Sequence, residues 1–76
     1  MYRVDYPALG GRIAAEREKK KLSVESLASR VGVSCEKMED IESGQIKTLE
    51  ADLTVLISNA LGITMEYLVK GKEFSQ

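Results

Sequence analysis

Gly32, Gly44, Gly62 and Gly71 each fall where a run of helix-spaced residues gives out, and Ser23, Ser34 and Thr64 stand at the heads of three of those runs. Glycine closes helices because it enters the left-handed conformation without steric cost. A Ser or Thr hydroxyl opens them by accepting a hydrogen bond from an otherwise orphaned N–H of the first turn. A chain stopped this often cannot form a long helix. It can form only short ones joined by tight turns, and each must bury its apolar stripe against the others, because helices shorter than about 12 residues are marginal alone.

Ser23, with Glu25 in the first turn, predicts a helix running to about Arg30 and stopped by Gly32. Ser34 starts the next, Cys35 to Ser43, closed by Gly44. After the polar connector Gln45 to Thr48, the residues Leu49, Leu53, Leu56, Ile57, Ala60 and Leu61 make the strongest apolar stripe, ended by Gly62. Thr64 caps a last short helix containing Met65, Tyr67, Leu68 and Val69, which Gly71 terminates. Ahead of all of these, Pro7 suits a first turn, and Leu9, Ile13 and Ala14 fall at helical spacing before Arg17 and the run Lys19, Lys20, Lys21. We read those lysines as the solvated, dipole-complementing end of a helix. Gly10 and Gly11 each weaken its first turns by roughly 1 kcal/mol relative to Ala, which leaves the start free to fray or shift. No stretch alternates with a period of two, so no strand is expected. The expectation is an all-α fold, a single domain over residues 1–76 with five short helices, a core from 9 to 71 and a loose tail from 72 to 76.

Composition narrows the function. A core drawn from one Phe, three Tyr and no Trp must rely on aliphatic side chains, in a chain of 76 residues that is 43% hydrophobic and 30% charged. No apolar run approaches the length of a membrane span. Tyr2, Arg3 and Asp5 stand where a secretory leader would turn apolar, so the expected location is cytoplasmic, with no membrane partner. With no His and a single cysteine, Cys35, neither an internal disulfide nor a zinc site is expected. The commonest general base is missing too, and no phosphate-binding loop or carboxylate pair stands out. We therefore expect no enzyme activity, no metal, no cofactor and no small-molecule substrate. The net charge of -1 conceals a division: residues 1–30 hold seven basic and four acidic groups, residues 31–76 four and eight.

The segment at about 24–43 carries the most specific pattern. Leu27, Ala28, Val31, Gly32, Val33, Met38 and Ile41 are apolar or small at fixed spacing. Ala28 must be small if the second helix crosses close above it, and Gly32 supplies the left-handed turn. Leu27, Val31, Met38 and Ile41 face the core. With its flanks, Leu9-Gly10-Gly11-Arg12-Ile13, Leu22-Ser23-Val24-Glu25-Ser26-Leu27-Ala28, Val31-Gly32-Val33-Ser34, Ile41-Glu42-Ser43-Gly44, Ala60-Leu61-Gly62-Ile63 and Tyr67-Leu68-Val69-Lys70-Gly71, the chain resembles the lambda-repressor-like, Cro-type helix-turn-helix domains of the XRE family. The resemblance covers roughly residues 9 to 71. It implies a compact five-helix domain whose third helix, Cys35 to Ser43, enters the major groove of double-stranded DNA.

The same resemblance assigns roles. Cys35, Glu36 and Asp40 match base-reading positions, Lys37 and Ser43 positions near phosphates, and Lys47 and Thr48 a second phosphate-contacting region. Val24 stands where the family most often has a DNA-contacting Gln, so the N-terminus following Ser23 offers backbone N–H groups instead, as does the one following Ser34. Arg17 and Glu42 match positions forming a structural ion pair. Glu36, Glu39, Asp40 and Glu42 against Lys37 make the third helix acidic, which opposes a thiolate at Cys35 and favours its role as a small surface residue over a redox switch. The function expected is a sequence-specific DNA-binding transcriptional regulator, a repressor binding an inverted-repeat operator as a homodimer through Tyr67, Val69 and Phe74. The alternative is a protein-protein interaction module of the same fold, an antitoxin or an antagonist of another regulator.

Overall fold

The structure, a computed structural model, describes residues 4–71. These form α1 (Tyr6–Lys19), α2 (Val24–Val31), α3 (Cys35–Ser43), α4 (Ala51–Leu61) and α5 (Met65–Lys70), with no strand among the described residues. The expected tail and Phe74 lie outside them.

Four helices end alike. A backbone N–H beyond the last turn reaches five residues back: Val33 to the Ala28 carbonyl at 3.0 Å, Gln45 to Asp40 at 3.0 Å, Ile63 to Ser58 at 3.0 Å and Leu22 to Arg17 at 3.1 Å. This closure needs a left-handed residue just before the donor. Gly32, Gly44 and Gly62 supply it for α2, α3 and α4, but in α1 it is Lys21, at φ 59°. The starts are capped where the sequence predicts: the hydroxyls of Ser23, Ser34 and Thr64 accept from the N–H groups of Ser26, Lys37 and Tyr67, each at 3.0 Å.

The head of α1 keeps Pro7 in its first turn, as the sequence predicts, and the two glycines do not shift it. The Asp5 carboxylate accepts from the Ala8 N–H at 3.1 Å, so the helix begins ahead of Gly10 and Gly11 and runs through both. Gly10 is buried because α3 crosses it: a Cβ there would collide with the main-chain carbonyls of Ile41 and Glu42. The end of α3 rests on α1 backbone to backbone. Gly44 continues the seam, lying against Pro7.

The core joins Leu9 and Ile13 of α1, Leu27, Ala28 and Val31 of α2, Met38 and Ile41 of α3, Leu53, Ile57 and Leu61 of α4, and Leu68 of α5. The stripe expected on α4 is rotated. Leu56 is 47% exposed and Leu49 precedes the helix, while Thr54 and Ser58 are buried beside Leu53, Ile57 and Leu61. Their hydroxyls donate to the carbonyls of Glu50 and Val55, both at 2.9 Å, so these polar groups enter the core already paired.

Candidate nucleic-acid interface

α2, the turn and α3 form one rigid corner. Ala28, 2% exposed, lets α3 pack close, and Met38 and Ile41 turn inward, both fully buried. By helical spacing the opposite line of α3 is then Glu36, Asp40 and Ser43, flanked by Lys37 and Glu39. All five are exposed. The solvent face of α3 thus carries three carboxylates against one ammonium.

The other expected interface residues sit around this corner. Ser23 and Ser34 use their hydroxyl oxygens as caps, which leaves each hydroxyl proton as a donor. Val24 is half-buried and packs against the core at the head of α2. Cys35 is half-buried in the first turn of α3, its Sγ 3.9 Å from Glu39 Oε2. Desolvation, then the charges of Glu39 and of Glu25 on α2, push the thiol pKa up. The Ser43 hydroxyl donates to the Asp40 carbonyl at 3.1 Å. Lys47 and Thr48 are exposed in the connector before α4, which the flanking Ile46 and Leu49 fasten to the core. Tyr67 and Val69 stand apart from this group, half-buried on α5, with Val69 packed against the core.

Behind the corner, Arg17 and Glu42 meet in a bidentate pair. Nε lies 2.7 Å from Oε2 and Nη2 3.0 Å from Oε1, with the side chains 13% and 10% exposed. Arg17 Nη1 also donates to the Leu22 carbonyl at 2.9 Å, so one guanidinium joins α1, the turn after it and the last turn of α3. The hydrogen bond that Arg17 donates to Glu42 raises the Arg17 pKa above its already high ordinary value, against the opposing cost of burial.

A family profile described as a helix-turn-helix domain matches residues 10–73. The chain is 31% identical to the P22 c2 repressor protein, solved in complex with a synthetic operator, over 84% of this chain and 96% of that one, with a TM-score of 0.78. It is 28% identical to the restriction-modification controller protein C.AhdI from Aeromonas hydrophila, over 84% and 96% of the two chains, with a TM-score of 0.78. It is 25% identical to SinR, the master regulator for biofilm formation, in complex with DNA, over 79% and 95%, with a TM-score of 0.74. No curated protein sequence matches the chain. The chain belongs to the helix-turn-helix domain family, in its XRE, lambda-repressor-like form.

Sequence reading passed over several residues that position the site. Asp5 is the cap of α1, Gly10 is the crossing point, and Glu16, 6% exposed, is buried in α1 with Lys19 Nζ 3.2 Å away. Arg12 donates to two carbonyls of α5, 56 and 57 positions along the chain. The cap was legible in the order Asp5-Tyr6-Pro7. The Arg12 contact was not, since no periodicity links residues that far apart.

Among the described residues, no helix is long and apolar enough to cross a membrane.

Proposed function

We propose that the protein is a sequence-specific DNA-binding transcriptional regulator of the cytoplasm, a repressor that occludes its promoter by binding an inverted-repeat operator as a homodimer with α3 in the major groove. The observation that carries this reading is the outward line Glu36, Asp40 and Ser43, presented by a helix whose other side is fixed by core packing, the Gly10 crossing and the Arg17–Glu42 pair. The likeness to the P22 c2 repressor and SinR, both solved with DNA, supports it.

In this reading Cys35, Glu36 and Asp40 face base edges, and the carboxylates accept hydrogen bonds from the N4 amino groups of cytosines. Lys37, Ser43, Lys47 and Thr48 approach phosphates, and Ser23, Val24 and Ser34 bring the amino-terminal N–H groups of α2 and α3 to the DNA backbone. Phosphates repel the acids, so affinity for random DNA is low and recognition depends on the matching bases. A single module spans few bases. Two copies, joined through Tyr67 and Val69 of α5 with Phe74 beyond it, reach half-sites spaced by roughly 34 Å or a multiple.

A gel-shift titration of the wild type, Glu36→Gln and Asp40→Gln against selected and scrambled duplexes, at two salt concentrations, tests this. At least one substitution weakens the preferred site by about 1 to 3 kcal/mol while binding to scrambled DNA holds or rises. Tighter binding of both variants to every duplex would mean that the acids only repel.

The acidic face of α3 favours a second reading, a protein-interaction module that pairs with a basic partner. SinR, whose fold this chain shares, has also been solved in complex with the protein SinI. Absence of salt-dependent duplex binding by the wild type would select this reading.

A further inference from the structure

The six residues of α5, Met65–Lys70, place one side chain, Leu68, fully in the core. A helix this short has no stability of its own, so something must hold its far end. Arg12 of α1 does so. Its Nε donates to the Leu68 carbonyl at 2.9 Å and its Nη2 to the Val69 carbonyl at 2.8 Å. These are last-turn acceptors at the negative end of the helix dipole, where a cation is doubly favoured. Gly71 leaves the guanidinium its room: at φ +75° it is left-handed, and a Cβ on it would stand 2.9 Å from Arg12 Nη1.

We propose that Arg12 is the positioning residue of the dimer: it holds α5 in register on α1, so that Tyr67 and Val69 form one surface for the second copy. Releasing it disassembles that surface while the helix-turn-helix stays folded. The inference rests on the homodimer of the preceding section.

Sedimentation of the full chain over a range of concentrations, combined with amide hydrogen exchange, tests it on the wild type, Arg12→Met, Arg12→Lys and Gly71→Ala. Arg12→Met weakens dimerisation by about tenfold or more and speeds exchange in α5 by a similar factor, while α2 and α3 keep their protection. Gly71→Ala, which strains the left-handed turn as well as crowding the guanidinium, moves both readings the same way. Arg12→Lys falls between, because an ammonium is a point charge and cannot fork onto two carbonyls. Should Arg12→Met fail to fold, Arg12→Lys, which keeps the charge and loses the fork, decides on the same two readings. Unchanged dimerisation in a variant whose wild type does dimerise overturns this inference alone, as does an equal loss of protection in α5 and in α2–α3. A wild type that stays monomeric at every concentration overturns the homodimer and takes the inference with it.

Discussion

Two arginines five residues apart on α1 hold the ends of two other helices by different chemistry. Arg17 meets a carboxylate at the end of α3, with both partners nearly out of water. Arg12 meets two main-chain carbonyls at the end of α5. The α3 attachment is further backed by main-chain contact at Gly10 and at Gly44, while α5 adds the Leu68 side chain and its Thr64 cap. Cutting the first contact strands a charge in a dry place. Cutting the second leaves only neutral carbonyls, with no charge stranded. By this contrast α3 is fixed and α5 is detachable at modest cost.

The largest effect expected from this contrast is at Glu42. Glu42→Ala takes from the Arg17 guanidinium its buried carboxylate partner, leaving the Leu22 carbonyl and the exposed Glu18 carboxylate 3.9 Å away, and costs on the order of 3 kcal/mol in urea melts. Arg17→Ala and the double mutant complete a cycle, and additive single losses below about 0.5 kcal/mol would remove the distinction. Gly10→Ala is next. The new methyl meets main chain, which cannot turn aside, so α3 must lift from α1 at about 2 kcal/mol, together with loss of near-native exchange protection in α3. Arg12→Met follows at about 1.5 kcal/mol, with exchange loss confined to α5. A global loss equal to that of Glu42→Ala would erase the difference between the two attachments.

Lys21→Gly goes the other way. A left-handed Lys costs about 1 kcal/mol or more, part of which glycine gives back as unfolded-state entropy, so thermal melts gain roughly 0.5 kcal/mol. A loss of stability would show that the Lys21 side chain contributes more than its backbone costs. The smallest effect is kinetic and concerns Cys35. Its pKa is raised, so the thiol stays protonated to higher pH than a free cysteine. Iodoacetamide therefore reacts more slowly than with a cysteine peptide near neutral pH, and the gap narrows as pH climbs through the raised value. Equal rates throughout would contradict the desolvation of Cys35 and the acidic neighbours described for it.

The parts of this fold governed by local rules could be read directly. Ser23, Ser34 and Thr64 cap the helices they were expected to cap, and Gly32, Gly44, Gly62 and Gly71 are all left-handed. What escaped reading depended on neighbours distant in sequence. Leu56 belonged to a plausible stripe, but the core lies on the side of Leu53 and Ile57, and two hydroxyl residues that bond to their own helix took the remaining places. Gly10 looked like a weakness of α1 because its use became visible only with α3 lying across it. Glu36, Lys37, Asp40 and Ser43 are singled out by the resemblance to the helix-turn-helix domains, and with Met38 and Ile41 turned inward they lie exposed on α3.

The crossing at Gly10 also bears on how such a molecule can change over generations. The separation of α1 and α3 is set by the thickness of two main chains, a dimension that no substitution in the surrounding aliphatic core alters. Drift in core volume is absorbed elsewhere, and the outward side chains of α3 can be exchanged without moving the platform that presents them. If those side chains read bases as proposed, a target is altered one contact at a time, with stability and placement inherited intact.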